Sequence, residues 1–149
     1  MAELFCLDDR DDRGRLFISG AFHDWAPIHA AGIDVVIDLE GDLDPGVPTT
    51  PGRVLYIYFP IHDGDLPNLA KLHAVAALCA SLIQSGHCVL SHCTMGFNRS
   101  ALLAGVILHE MGCDGPRAID QIRQRREGAL WNDVFEEYLR GLPGKGPAG

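Results

Sequence analysis

The stretch from His87 to Ser100, reading HCVLSHCTMGFNRS, limits the folds open to this chain more than any other. His87 to His92 has β character, the middle is turn-rich around Gly96, and an apolar run with helical spacing follows from Ala101 to Leu108. A strand passing through a tight loop into a helix is a building unit of α/β proteins. It also leaves the first N–H groups of the helix without partners inside the helix, so loop and helix start form an anion cradle. Cys93 at the base of such a cradle sits in a positive field. That field favours the thiolate, the nucleophilic form of cysteine. Arg99 adds a planar, two-pronged donor suited to two oxygens of a phosphoryl group. Gly96 can take the positive φ that a tight, inward-facing turn requires.

The rest of the chain repeats the same alternation. Leu16–Ser19 reads as a short strand, followed by a helix from His23 or Asp24 to Ala31 that Gly32 ends. Ile33–Leu39 is β-branched and apolar enough to be buried on both faces, as strands of parallel sheets are. Residues 40–52, with three prolines and three glycines, form a loop. Arg53–Phe59 is a strand, Pro60–Pro67 a loop, and Asn68–Ser85 a long helix closed by Gly86. The strand 87–92 and the loop follow. Helices are expected at Arg99–Met111, from Asp114-Gly115-Pro116 to about Glu127, and at Asn132–Gly141. The expected architecture is α/β, a central and mostly parallel β-sheet flanked by helices, in one domain at 15–142. An N-terminal loop (1–14) and a disordered Gly/Pro tail (143–149) complete it.

The pattern H-C-x5-R-[ST] at His92–Ser100 resembles the signature loop of the cysteine-dependent protein tyrosine and dual-specificity phosphatases, in their compact, atypical dual-specificity type. The similarity extends over roughly residues 15 to 140, through Ser19-Gly20-Ala21, Tyr58-Phe59-Pro60 and the segment from Ile122 to Asn132. The resemblance implies a phosphotyrosine-phosphatase-like fold and hydrolysis of phosphomonoesters through a phosphocysteine, without metal or cofactor. It implies Cys93 as nucleophile and Arg99 as phosphate clamp. Ser100 would assist departure of the thiolate, and His92 would hydrogen-bond loop backbone and help hold the thiolate. Thr94, Met95, Gly96, Phe97 and Asn98, with Arg99, would line the substrate. None of those five is basic, whereas relatives acting on inositol lipids usually carry Lys or Arg there, which disfavours lipid substrates.

A leaving alkoxide or phenoxide needs a proton, and a carboxylic acid on a loop over the pocket supplies it. Pro60–Pro67 contains Asp63 and Asp65. In relatives the acid often follows a strand as Pro-x-x-Asp-Gly, which selects Asp63. Asp65 reads equally as a helix-start residue and Asp63 as a turn former beside Gly64.

Other readings compete with this one. Cys93 alone could be an inert buried thiol and Arg99 a surface ion-pairing residue, but that leaves their spacing unexplained. His87-Cys88 and His92-Cys93 suggest a metal site, yet residues five apart on a strand face opposite ways. A catalytically silent phospho-residue binding module, a phosphatase of small-molecule or lipid phosphates, and a sulfur-transfer or arsenate-reducing enzyme are the remaining alternatives. Arg117, Arg123, Arg125 and Arg126 read as a solvated helix face rather than a binding patch, with the alternative that one of them lines the mouth of the pocket, and His29 and His62 as solvent-exposed or locally packed.

A net charge of −8 argues against nucleic-acid or anionic-membrane partners. Five cysteines without a disulfide framework fit a reducing compartment. Cys88 and Cys6 are candidates for a disulfide with Cys93 under oxidation. Neither chain end carries a targeting or prenylation signal, and no apolar run is long enough to span a bilayer. The expectation is a cytoplasmic monomer acting on a phosphorylated protein or small phosphomonoester.

Overall fold

The computed structural model describes residues 3–144. Five strands, β1 (Phe5–Asp8), β2 (Leu16–Ser19), β3 (Ile33–Asp38), β4 (Leu55–Tyr58) and β5 (Cys88–His92), form one sheet in the order β1-β2-β5-β3-β4. β2, β5, β3 and β4 are parallel, and β1 joins the β2 edge antiparallel. The helices are α1 (Ala26–Ala30), α2 (Leu69–Gln84), α3 (Arg99–Glu110), α4 (Gly115–Arg125) and α5 (Asp133–Arg140). The expected α/β architecture is present.

Side chains alternate across a strand, and here the two faces feed separate cores. Leu16, Ile18, Val35, Ile37 and Val89 join the apolar sides of α2 to α5, while Phe17, Val36 and Leu90 pack with Phe22, Trp25 and Ile28 around α1. This two-sided burial explains why β3 reads as a continuous apolar run. α3 is buried from Ser100 to Leu108, as suits a helix apolar all round.

The N-terminal loop expectation is corrected by β1. Its acidic flanks hide a short strand whose Leu7 is fully buried, and buried Asp8 pairs with Arg13 at 2.7 Å. Gln121 Nε2 donates to Leu7 O at 2.7 Å, so α4 ties the strand down. α1 is shorter than expected, with Pro27 in its first turn and Asp24 Oδ1 accepting from Ala26 N–H. Of the expected disordered tail, residues 145–149 lie outside the described residues.

Register places the chemistry. Ser19 and Asp38 both pair with His92, and Asp38 pairs with Tyr58, so the carboxyl ends of four parallel strands finish on one line. β5 is the central strand, and ligand crevices of open α/β sheets lie beyond such strand ends.

Candidate active site

The loop between β5 and α3 is anchored at both ends. Cys93 N–H donates to Ser19 O at 3.3 Å, and Ala21 N–H donates to Thr94 O at 3.0 Å. At the turn, Gly96 has φ 75°, and a Cβ there would lie 2.7 Å from Gly20 N. Glycine is required both by backbone hand and by the close approach of the β2 exit. From outside, Arg126 Nε donates to Gly96 O and its Nη2 to Met95 O, each at 3.3 Å. Its guanidinium lies 4.3 Å from the Phe5 ring centroid and 3.9 Å from that of Phe97. With those carbonyls turned outward, planar trans peptides aim the N–H groups of Gly96 and Phe97 the other way. Gly96 N–H indeed reaches Cys93 Sγ at 3.3 Å.

Arg126 is therefore no solvated helix residue. Nor is Arg123, which donates to Ala129 O, Leu130 O and Glu136.

The sulfur of Cys93 is 2% exposed with its residue, and Ser100 Oγ stands 3.4 Å from it. Arg99 Nη1 donates to Ile61 O at 3.2 Å and Nη2 to Thr94 Oγ1 at 2.9 Å. Its Nε is buried and has no hydrogen-bond partner among the described residues. Thr94 Oγ1 in turn donates to Glu40 Oε2 at 3.1 Å, linking the loop to the end of β3.

Asp63, Cys93, Met95, Phe97, Asn98, Arg99 and Trp131 line a cavity of about 180 Å³. Met95 is 67% exposed and Trp131 65%, so an apolar rim surrounds a polar floor. A roomier apolar pocket of about 320 Å³ beside Pro27 and Ile28 carries no nucleophile. Asp65 belongs to a different depression, with Leu66, Pro67 and Lys71. Of the two acids in that loop, Asp63 is the one brought to Cys93.

His92 departs from expectation. It forms no hydrogen bond to loop backbone: Nε2 is 2.6 Å from Asp44 Oδ2, and Nδ1 has no partner among the described residues. The ring leaves β5 on the face where loop 40–52 folds back, and that loop delivers Asp44. Asp38 lies beside them, its carboxylate accepting from Tyr56 Oη and Glu40 N–H. Burial raises the Asp38 carboxyl above its usual range, opposed by the Tyr56 hydrogen bond; burial, then Asp38, raises the Tyr56 phenol. Ligand atoms of Asp38, Glu40, Asp44 and His92 lie within 4.8 Å of one another. Every one of these side chains already makes an internal hydrogen bond.

The proposed disulfide partners are remote. Cys88 is five residues along β5 from Cys93, about 16 Å at ~3.3 Å per residue. Cys6 pairs with Phe17 and Phe17 with Leu90, which puts it two strands and three residues away, roughly 14 Å. A disulfide needs Cα atoms within about 7 Å. All five cysteines are free.

Sequence reasoning did not assign Asp44, Arg126, Asn132 or Trp131 to the site. Asn132 carried a local signal, a helix N-cap, but nothing in its neighbours announced what its amide would bind. Asp44 carried none, being one of several acids in a Pro/Gly loop.

Residues 18–142 match the family described as dual specificity phosphatase, catalytic domain. Human protein tyrosine phosphatase type IVA 3 is 33% identical over 108 residues, covering 72% of this chain and 51% of that protein. Mouse protein tyrosine phosphatase type IVA 2 is 30% identical over 113 residues, covering 76% of this chain and 56% of that protein. The chain thus spans about half the length of the curated relatives it matches. Among solved structures, human DUSP28 superposes with a TM-score of 0.72 at 22% identity, covering 92% of this chain and 90% of that one. A putative protein tyrosine phosphatase from Leishmania major gives 0.70 at 17% identity, covering 95% and 99%. At such identities these likenesses speak to the fold alone, and the fold they share is this one.

Proposed function

Since this chain belongs to the dual specificity phosphatase catalytic-domain family, we propose that it hydrolyses phosphomonoesters of the protein tyrosine and dual-specificity class through a covalent phosphocysteine. The observation that carries this reading is the setting of Cys93 Sγ, with Gly96 N–H at 3.3 Å, Ser100 Oγ at 3.4 Å and Arg99 in the same cavity.

In the first step the Cys93 thiolate attacks phosphorus in line. The sulfur–phosphorus bond forms as the bond to the leaving oxygen breaks, and Asp63 gives that oxygen its proton. Arg99 uses one N–H of Nη1 on Ile61 and one of Nη2 on Thr94, so its buried Nε–H, without a partner among the described residues, and one N–H on each Nη remain as donors for equatorial oxygens. Loop N–H groups take the others, so positioned charge supplies most of the catalysis. In the second step Asp63 accepts a proton from water as the water oxygen attacks phosphorus. The thiolate departs while the Ser100 hydroxyl donates to it. His92 fixes the end of β5 beneath the nucleophile through Asp44.

The substrate is a phosphorylated protein side chain or a small phosphomonoester. The loop residues Thr94 to Asn98 carry no cation for a polyphosphorylated lipid headgroup. We place residues 15–142, with β1 added at the sheet edge, as the catalytic unit, a monomer without nucleic-acid or membrane partners, in the cytoplasm. Five free cysteines and a net charge of −8 support this, and no helix among the described residues is long and apolar enough to cross a membrane.

Release of phosphate from an aryl phosphate, abolished in Cys93→Ser, is the expected result. Retained phosphopeptide binding with no release from the wild-type protein would instead make it a silent binding module.

A further inference from the structure

The carboxylate of Asp63 is gripped on both oxygens. Asn98 Nδ2 donates to Oδ2 at 3.1 Å, and Asn132 Nδ2 donates to Oδ1 at 2.9 Å. The backbone N–H of Asn132 donates to Asn98 Oδ1 at 3.0 Å, and Asn132 Nδ2 also reaches Gly64 O at 3.3 Å. The result is a closed ring of three residues from three places in the chain: the acid loop, the signature loop, and the start of α5.

The segment that presents Asn132 is held under strain. Leu130, fully buried, has φ 63°, the one positive value outside glycine among the described residues. Its N–H donates to Phe97 O at 2.8 Å, and Arg123 holds Ala129 O at 3.0 Å and Leu130 O at 2.9 Å. A leucine stays in this conformation only where its surroundings over-determine it, and such strain gathers at functional positions. Asn98 is 2% exposed, and its side chain makes no cap hydrogen bond to α3. Its polar atoms are committed to the acid loop and to Asn132.

We propose that Asn98 and Asn132 are positioning residues that form an amide latch, holding the Asp63 loop closed over Cys93 before substrate arrives. The proposal rests on the reading of Asp63 as general acid. In acid-loop enzymes that close on substrate, part of the binding energy drives the closure. Here the protein's own amides supply it. A carboxyl group has about four lone-pair positions, and the amides occupy only one on each oxygen. The proton Asp63 delivers therefore has a free position, and the latch need not open during turnover.

The test uses Asn132→Ser and Asn98→Ala, each alone and combined with Asp63→Asn. Serine retains an N-cap oxygen for Val134 and Phe135 N–H while losing the amide donor. Alanine at 98 deprives α3 of no cap. Each single variant should lower kcat on an alkyl phosphate about tenfold or more beyond whatever it costs on an activated aryl phosphate, Asn98 being also a lining residue of the cavity. Neither should lower it further in the Asp63→Asn background, because the amides act through that carboxylate. Amide hydrogen exchange across residues 61–66 should quicken in both. Equal losses on both substrates, full additivity with Asp63→Asn, or unchanged exchange would each overturn the latch. If Asp63→Asn itself shows no leaving-group dependence, the general-acid reading fails separately, and exchange alone then decides whether the latch exists.

Discussion

The sulfur of Cys93 accepts from the backbone N–H of Gly96, and its thiol donates to Ser100 Oγ, whose hydroxyl turns to donate once the sulfur is a thiolate. In the proposed mechanism the N–H belongs to the cradle and serves both steps. The hydroxyl matters most when the thiolate must leave, because a departing anion gains most from a positioned donor. Ser100→Ala should therefore slow hydrolysis of the phosphocysteine more than its formation. Stopped-flow traces on an aryl phosphate should show a burst followed by slow turnover; attack and steady-state rates falling together would contradict this role. The two acids of loop 60–67 separate by the same reasoning. Asp63 lines the Cys93 cavity and Asp65 does not. Asp63→Asn should depress an alkyl phosphate much more than an aryl one, each ~1.4 kcal/mol of lost stabilisation costing about tenfold. It should also flatten the basic limb of the pH profile. Asp65→Asn should cost little and equally on both substrates, and a reversal of the two patterns would move the acid two residues along.

At the scale of elements, the site is a junction of strand ends with a loop that only one residue type permits. At Gly96 a methyl group would meet Gly20 N at 2.7 Å and Ser19 C at 2.8 Å, both backbone, at a φ that L-residues avoid. Gly96→Ala should strain the cradle by about 1–3 kcal/mol. Tungstate binding, measured by calorimetry in the Cys93→Ser background, should weaken about tenfold or more; unchanged affinity would mean the loop is more pliant than its contacts indicate. Further out, Glu136 joins α4 to α5 by accepting from Arg140 at 2.8 Å and Arg123 at 3.1 Å. Those hydrogen bonds, Arg140 first, hold its carboxyl below the usual range. A carboxylate depressed in the folded state contributes stability above its unfolded value and loses it as pH falls through the folded one. Glu136→Gln should cost up to about 1 kcal/mol in urea unfolding at neutral pH, and the difference should vanish in strong acid.

Across the whole molecule, what was legible from sequence is what local pattern determines. β3 declared itself as an apolar run because both its faces are buried, β5 as a short run with β character ahead of the loop, and α3 because it is enclosed all round. Glycines 32, 86 and 112 marked helix ends with positive φ. Cys93, Arg99, Ser100 and the loop between them sit together because they are close in sequence. β1 was hidden, since four residues beside a run of aspartates hold too little alternation to outweigh that charge. Asp44 under His92, Arg126 behind Met95 and Gly96, and Asn132 on Asp63 were invisible for another reason. Each contact joins residues at least 30 positions apart, and only the closed fold brings them together. The partner cysteines failed likewise, because register and not composition sets their distance from Cys93. Everything attributed to the site converges on one species, a phosphoryl group carried on the Cys93 sulfur. Acid quenching during turnover of an aryl phosphate by Ser100→Ala, followed by mass spectrometry of the peptide containing residues 88–99, tests for it directly. The account predicts a phosphate mass added at Cys93, absent in Cys93→Ser. Steady phosphate release with that peptide unmodified, or turnover persisting in Cys93→Ser free of wild-type protein, would contradict it.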